Sequence, residues 1–348
     1  MNINPESWKQ DLPAFKEKTD AFYRGEVPKN QYKGFSGFYG SYAQKGGKAS
    51  MLRLRMTAGR VTKEKLAFIA ESIRKYNVKK AHFTTCETIQ LHDLQQEELC
   101  RIMEDALDVG IVTMGGGGDF PRNVMVSPLS GVEQGEYFDV LPYAERAGDY
   151  LMGMIKTVKL PRKLKVGFSN SPANVTHATF RDLGFMAKEN GLFDVYSAGG
   201  LGNNYKMGVK VAENVKPEEV LYYVEAMVRT FTTYGNYESR AKSRTRYMQE
   251  TLGVEGYKKA YQEKLLEVKA KFKDSLLIKS SVSAEQESNT EESVVNIKEQ
   301  ESQLKNVAAY PQTESASQRV ITQKQAGLYA VAYHPVGGMV PAQKFEEN

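Results

Sequence analysis

Four consecutive glycines, Gly115 to Gly118, are followed at once by Asp119, Pro121 and Asn123, and no helix can run through such a stretch. The chain must therefore turn here between two folded units. Val124, Met125 and Val126 then read as a short buried strand closed by Pro128. Arg122 falls at the junction of loop and strand, where it could hold an anion beside a backbone free to approach a bulky ligand. A surface turn with a solvated arginine satisfies the same residues.

Upstream, residues 1–48 are polar, with Lys, Gly and Tyr throughout, and read as an extended entry arm with a short helix around Asp11 to Tyr23. Met51 to Met56 alternates apolar and basic residues, which makes a strand with Arg53 and Arg55 on one face. Thr62 caps a helix whose Leu66, Ile69, Ile73 and Tyr76 form one stripe. Strands follow at Lys79 to Thr84 and Thr88 to His92, then a helix from Gln95 to Val109 that Gly110 ends. This order suits half of a ferredoxin-like α+β unit.

Downstream, Pro142 to Lys156 has a helical pattern. Lys163 and Lys165 lie two apart on an expected strand, so both ammonium groups face one way while Leu164 and Val166 face the core. Strands Gly184 to Ala187 and Phe193 to Ser197 lead into a second glycine loop, Ala198 to Gly202. A long helix starts near Pro217 and stops at Gly235. Arg240, Lys242, Arg244 and Arg246 crowd a basic helix, and a surface helix covers Tyr257 to Phe272. Ser280 to Gln318 has no glycine and one aromatic residue, a composition that reads as a disordered linker. Ile321 to Met339 turns apolar again, as a strand opening a further folded unit.

Charge is unevenly spread. From Lys279 onward 6 Lys+Arg face 9 Asp+Glu, which leaves +8 on residues 1–278. A basic body serves nucleic acid or a small anion. The two cysteines, Cys86 and Cys100, have neither zinc nor CxxC spacing, and the four histidines lack HxxxH or HExxH spacing, so no metal site is expected. Neither glycine loop carries a nucleotide signature. No apolar run spans a membrane and no signal-peptide pattern opens the chain, which reads as cytoplasmic. What remains is a set of cations on rigid elements: Arg53, Arg55, Arg122, Lys163 and Lys165.

The motifs MLRLRMTAGRVT, TTCETIQLHDL, GGGGDFPRNVMVSPLSG, LPRKLKVGFSNSP and AGGLG together resemble the N-terminal half of the sirohaem and [4Fe–4S] nitrite/sulfite reductase haemoproteins. The resemblance implies an α+β chain in five parts: an arm (1–34), a ferredoxin-like half-domain (35–112), an α/β sirohaem-side domain (113–278), the linker (279–320) and the start of a second half-repeat (321–348). It implies six-electron reduction of sulfite or nitrite on sirohaem, with the oxyanion held by Arg53, Arg122, Lys163 and Lys165. Cofactor contacts are implied at Gln90, His92, Asn123, Gly199, Gly200 and Arg244. An electron donor such as ferredoxin and a C-terminal half or complementary chain are implied partners.

The departures are specific. The family's cluster takes four cysteines in CxxxxxC and CxxxC pairs, which this chain lacks. Cys86 stands where many members have an arginine, and Ser127 where many have a cysteine. The competing expectation is a redox-inactive module of the same fold that binds a tetrapyrrole, an anion or RNA. Recognition of RNA lacks interleaved surface aromatics and an RNP or GXXG motif.

Overall fold

The computed structural model describes residues 4–279 and 319–341. The linker expected between Ser280 and Gln318 lies outside the described residues.

The entry arm is helical well beyond the short helix expected around Asp11 to Tyr23, which forms, where the rest was read as extended. It forms α1 (Pro5–Lys9), α2 (Leu12–Tyr23) and α3 (Lys29–Ser36). The reason is aromatic burial: Trp8, Phe15 and Tyr32 are buried, and Phe22 stacks on Tyr32 with centroids 4.1 Å apart. Trp8 and Phe15 join the same core cluster as the first sheet, so these helices are part of that unit.

Next come β1 (Ser41–Ala43), β2 (Ser50–Arg55), α4 (Lys63–Lys75), β3 (Lys80–Phe83), β4 (Thr88–Leu94) and α5 (Gln96–Asp108). Thr62 Oγ1 accepts from Lys65 N–H to start α4, and a Gln95/Glu98 capping box starts α5. The strands form an antiparallel sheet in the order β1-β2-β4-β3, with Ile69, Ile73, Leu99 and Ile102 packed under it. Arg53 lies directly opposite Gln90 across β2 and β4, so both project from one face.

The second unit holds β5 (Met125–Val126), α6 (Leu141–Gly153), β6 (Val166–Ser169), β7 (Leu183–Ala187), β8 (Phe193–Ser197), β9 (Val209–Val215), α7 (Val220–Tyr234) and α8 (Met248–Phe272). Its sheet runs β5-β6-β7-β8-β9, parallel through β7 and antiparallel after it. Phe168 and Phe185 stack at 4.5 Å in its core, and α8 breaks at Gly253.

Three local expectations need correction. The segment carrying Lys163 and Lys165 is extended but is not yet strand: only Leu164 bridges, to Pro121, because the Lys165 N–H is taken by the Asp182 carboxylate at 2.7 Å. The basic segment is two 3₁₀ turns, Arg240–Lys242 and Thr245–Tyr247, rather than a helix. Asp182 holds both Arg244 and Thr245, and Asp119 holds Arg240, which pins side chains at a spacing a continuous helix would not meet.

The stretch 321–339 is also more than one strand, and it docks on what precedes it. A hairpin of β10 (Val320–Thr322) and β11 (Tyr329–Val331) sits on the 131–136 loop through Lys324 and Glu136 at 2.6 Å and Gln325 Nε2 donating to Gly131 O at 2.9 Å. β12 (Met339–Pro341) pairs antiparallel with β3, and its Val340 is buried. The β3 edge is thereby covered.

The two sheets meet at the turn between β3 and β4. Asn123 Nδ2 donates to Cys86 O at 3.1 Å and Glu87 O at 3.0 Å, while the Glu87 carboxylate accepts from Val126 N–H at 3.0 Å. Burial pushes the Glu87 carboxyl up to about 7, against the backbone hydrogen bond and Arg181. A folded-state value above the unfolded one means that ionisation favours unfolding, so this contribution is fully present in acid and fades as pH rises towards 7. Between the ordinary carboxylate range and neutrality the loss is about 3 kcal/mol. Glu87→Gln is expected to flatten that slope in urea midpoints measured from pH 5 to pH 8; an unchanged slope would show that Glu87 does not cause it.

Candidate functional site

The face of the first sheet, the glycine loop and the extended Lys163 segment enclose a cleft of about 510 Å³. Arg53, Arg122, Lys163 and Lys165 all line it, together with Gln90 and Asn123. Arg55, read from sequence only as a neighbour on the strand, lines it too.

The glycine loop positions the arginines with its carbonyl groups. Gly116 O accepts from both Arg53 Nη1 and Arg122 Nη1, the latter at 2.7 Å, and Gly118 O accepts from Arg122 Nη2 at 2.9 Å. Met114 O and Pro121 O hold Arg55 Nη1 at 3.2 and 3.1 Å. The missing side chains let the loop approach its own protein: a Cβ on Gly117 would lie 2.5 Å from Gly37 O, and one on Gly116 2.7 Å from Thr113 O. Arg122 is therefore fixed on carbonyls, which removes the solvated-turn reading.

No Asp or Glu lines the cleft. Burial, reinforced by neighbouring cations, depresses Arg55 to about 9, Arg122 to about 10 and Lys163 to about 8. The Nε atoms of Arg55 and Arg122 are buried without a partner. Uncompensated positive charge of this kind attracts an anion, which would relieve the repulsion and supply acceptors.

Gln90 orders the next layer. Its amide oxygen accepts from Arg53 Nε at 3.2 Å, and its nitrogen donates to His82 Nδ1 and His92 Nε2, each at 3.2 Å. In this amide orientation Nδ1 of His82 and Nε2 of His92 act as acceptors, and burial lowers the His92 pKa in the same sense. His92 thus touches the site through Gln90 and is not in the cleft wall. Arg244 stands behind it: Arg244 Nη2 and the Lys165 N–H meet on Asp182, and the Arg244 charge helps to depress Lys163. Gly199 and Gly200 do not line the cleft; Gly199 packs on Phe180 and Gly200 pairs with Lys206 beside Arg246.

Sequence reasoning did not find Glu87, Gly337 or Gly338 as neighbours of this site, whereas Cys86, singled out by the resemblance, lines it. Gly337 and Gly338 reach the cleft only because β12 folds back on β3. Period-two spacing beside Arg53 was the available signal for Arg55.

The fold and cleft define an α+β protein with a cation-lined cleft at the joint of two sheets. Residues 42–109 match the nitrite/sulfite reductase ferredoxin-like half domain, and residues 117–269 match the nitrite and sulphite reductase 4Fe-4S domain. The chain belongs to the nitrite/sulfite reductase haemoprotein family.

It is 27% identical over 250 residues to the NADPH sulfite reductase hemoprotein beta-component of Anoxybacillus flavithermus, covering 62% of this chain and 44% of that protein. It is 27% identical over 287 residues to the assimilatory ferredoxin-dependent nitrite reductase of Haloferax mediterranei, covering 73% and 48%. The solved structure of Mycobacterium tuberculosis NirA shares the fold, with a TM-score of 0.64 and 23% identity over 72% of this chain and 50% of that one. The chain thus spans about half the length of the curated relatives it matches. Among the described residues no helix is long and apolar enough to cross a membrane.

Family members depend on sirohaem and a [4Fe–4S] cluster. The cleft fits the first in charge: its cations and unpartnered arginine Nε atoms match a polycarboxylate macrocycle. The chain's own residues do not fit the second. A cluster takes four thiolates, the chain has two cysteines, and no group of metal-ligating side chains occurs among the described residues.

Proposed function

We propose that this chain forms the oxyanion-binding and proton-delivering wall of a nitrite/sulfite reductase centre, with Arg53, Arg122, Lys163 and Lys165 as the residues that touch substrate. The observation that carries the reading is five convergent cations with no acidic residue in the cleft lining. Arg53 and Arg122 offer fixed, planar donors because the glycine-loop carbonyls already set their orientation. Lys163, depressed to about 8, is charged at neutral pH yet gives up a proton readily, as proton transfer to departing oxygen requires. Lys165 places a second ammonium beside it.

When bound, sirohaem supplies the redox-active iron of such a centre. On this chain Arg53, Arg122, Gln90 and Asn123 would hold it, and they would keep water from the substrate face. The cluster thiolates come from a complementary half or chain, and electrons come from a donor such as ferredoxin, the donor named for the Haloferax mediterranei relative.

The test is addition of sirohaem to the purified chain. A visible spectrum that shifts on adding nitrite or sulfite, and that is weakened in Arg53→Met, supports the reading. A protein that stays colourless while still binding nitrite favours instead the redox-inactive anion-binding module.

A further inference from the structure

Asp182 and the second glycine loop do not line the cleft, yet they stand directly behind its lysines. Ala198 N–H donates to Asp182 O and Gly199 N–H to Arg181 O, each at 2.9 Å, and a Cβ on Gly199 would lie 2.8 Å from that Arg181 oxygen. The missing side chain lets the loop hold Asp182 in place. Asp182 itself is 1% exposed, and its carboxylate meets both halves of the site behind the lysines.

On one side it sets the backbone. The carboxylate accepts from Lys165 N–H at 2.7 Å, and Leu183 N–H donates to Lys165 O at 3.2 Å, so both backbone groups of Lys165 are held. Leu164 is held from the opposite direction, where its O accepts from Arg122 N–H at 2.8 Å and its N–H donates to Phe120 O at 3.3 Å. Lys163 and Lys165 thus stand on a backbone clamped between the Arg122 segment and Asp182.

On the other side it meets a charge. Each carboxylate oxygen accepts from Arg244 Nη2 at 3.2 Å, and Thr245 Oγ1 donates to one of them. Lys163 is depressed first by burial and then by the charges it faces: Arg122 from the glycine loop, Lys165 and Arg162 on its own segment, and Arg244 from between the two basic turns. Asp182 faces, besides Arg244 and Thr245, the Arg181 charge beside it and the Tyr257 hydroxyl of α8. A carboxylate seated on Arg244 offsets one of the charges that disfavour the Lys163 ammonium.

We propose that Asp182 is the positioning residue of the lysine wall: its carboxylate sets the Lys165 backbone and screens Lys163 from the Arg244 charge, so that two ammonium groups meet the anion together at neutral pH. This rests on the oxyanion reading above.

The test is calorimetric nitrite titration of the full 348-residue chain from pH 6 to pH 10. In Asp182→Asn, Lys163 faces an unscreened Arg244, so the fall in affinity should come about half a pH unit lower than in the wild type, or more. In Arg244→Gln it should come higher, and combining Arg244→Gln with Asp182→Asn should bring it back to the wild-type position or above. A residue that only braced the fold would lower the urea midpoint without moving the step, and a second buried substitution would not restore anything. A step unmoved in Asp182→Asn, or moved and not restored by Arg244→Gln, overturns the proposal. If Asp182→Asn loses its cooperative urea transition, Arg244→Gln decides: a raised step supports the screening, and an unmoved one overturns it. A wild-type chain that binds no nitrite sinks the oxyanion reading itself, whereas binding with a step indifferent to Asp182 and Arg244 sinks this inference alone.

Discussion

Arg122→Met is expected to weaken nitrite binding by roughly 30- to 100-fold, about 2–3 kcal/mol, the scale of hydrogen bonds to a charged group in a partly dry site. Arg122 is the cation most tightly set by the glycine loop, bonded to Gly116 O and Gly118 O, and its buried Nε has no protein partner. Folding should change by no more than about 1 kcal/mol, because the loss of two hydrogen bonds is offset by removing a charge that burial already disfavours. Arg55→Met should act the other way round. Arg55 directs Nη1 at Met114 O and Pro121 O and is almost wholly buried, so its loss should affect stability more than binding. Calorimetric titration and urea melts on both variants check this pair. Equal losses of affinity would contradict the assignment of Arg122 to the anion.

Gly184→Ala is expected to cost about 3 kcal/mol or more and to leave little folded protein. Gly184 lies inside β7, between β6 and β8, and an added Cβ would fall 1.8 Å from Ala178 O. The neighbour is backbone held by its own turn, so no side chain can swing away, and the strand would have to leave its register. Loss of the cooperative urea transition is the readout; a stable, soluble Ala variant would show that the 178–180 turn yields.

Much of this arrangement was legible before any coordinates. Alternation in MLRLRM put Arg53 and Arg55 on one face, and the two-residue spacing of Lys163 and Lys165 put their ammonium groups on one side, as the cleft lining has them. The cap at Thr62 and the stop at Gly235 marked helix ends by local chemistry.

What was missed depended on contacts distant in sequence. The arm looked extended because Trp8, Phe15 and Tyr32 are spread among lysines, and only the fold gathers them. The glycine loop suggested room for a ligand, whereas its missing side chains let it press against Gly37 and Thr113. Glu87 joins the two sheets through Val126, 39 positions on, and Gly338 reaches His82 through β12. No local pattern encodes either.

The central claim is that the cleft is an oxyanion site whose charge includes the Lys163 ammonium. Its most direct test is calorimetric titration of the chain with nitrite, which remains a monoanion throughout, from pH 6 to pH 10. Lys163 is charged below about 8 and neutral above it, so affinity should hold through neutrality and fall as pH rises past about 8. In Lys163→Met the affinity should start lower and show no step there. A wild-type profile flat through that region, or a Lys163→Met variant that keeps full affinity and the same step, would contradict the account.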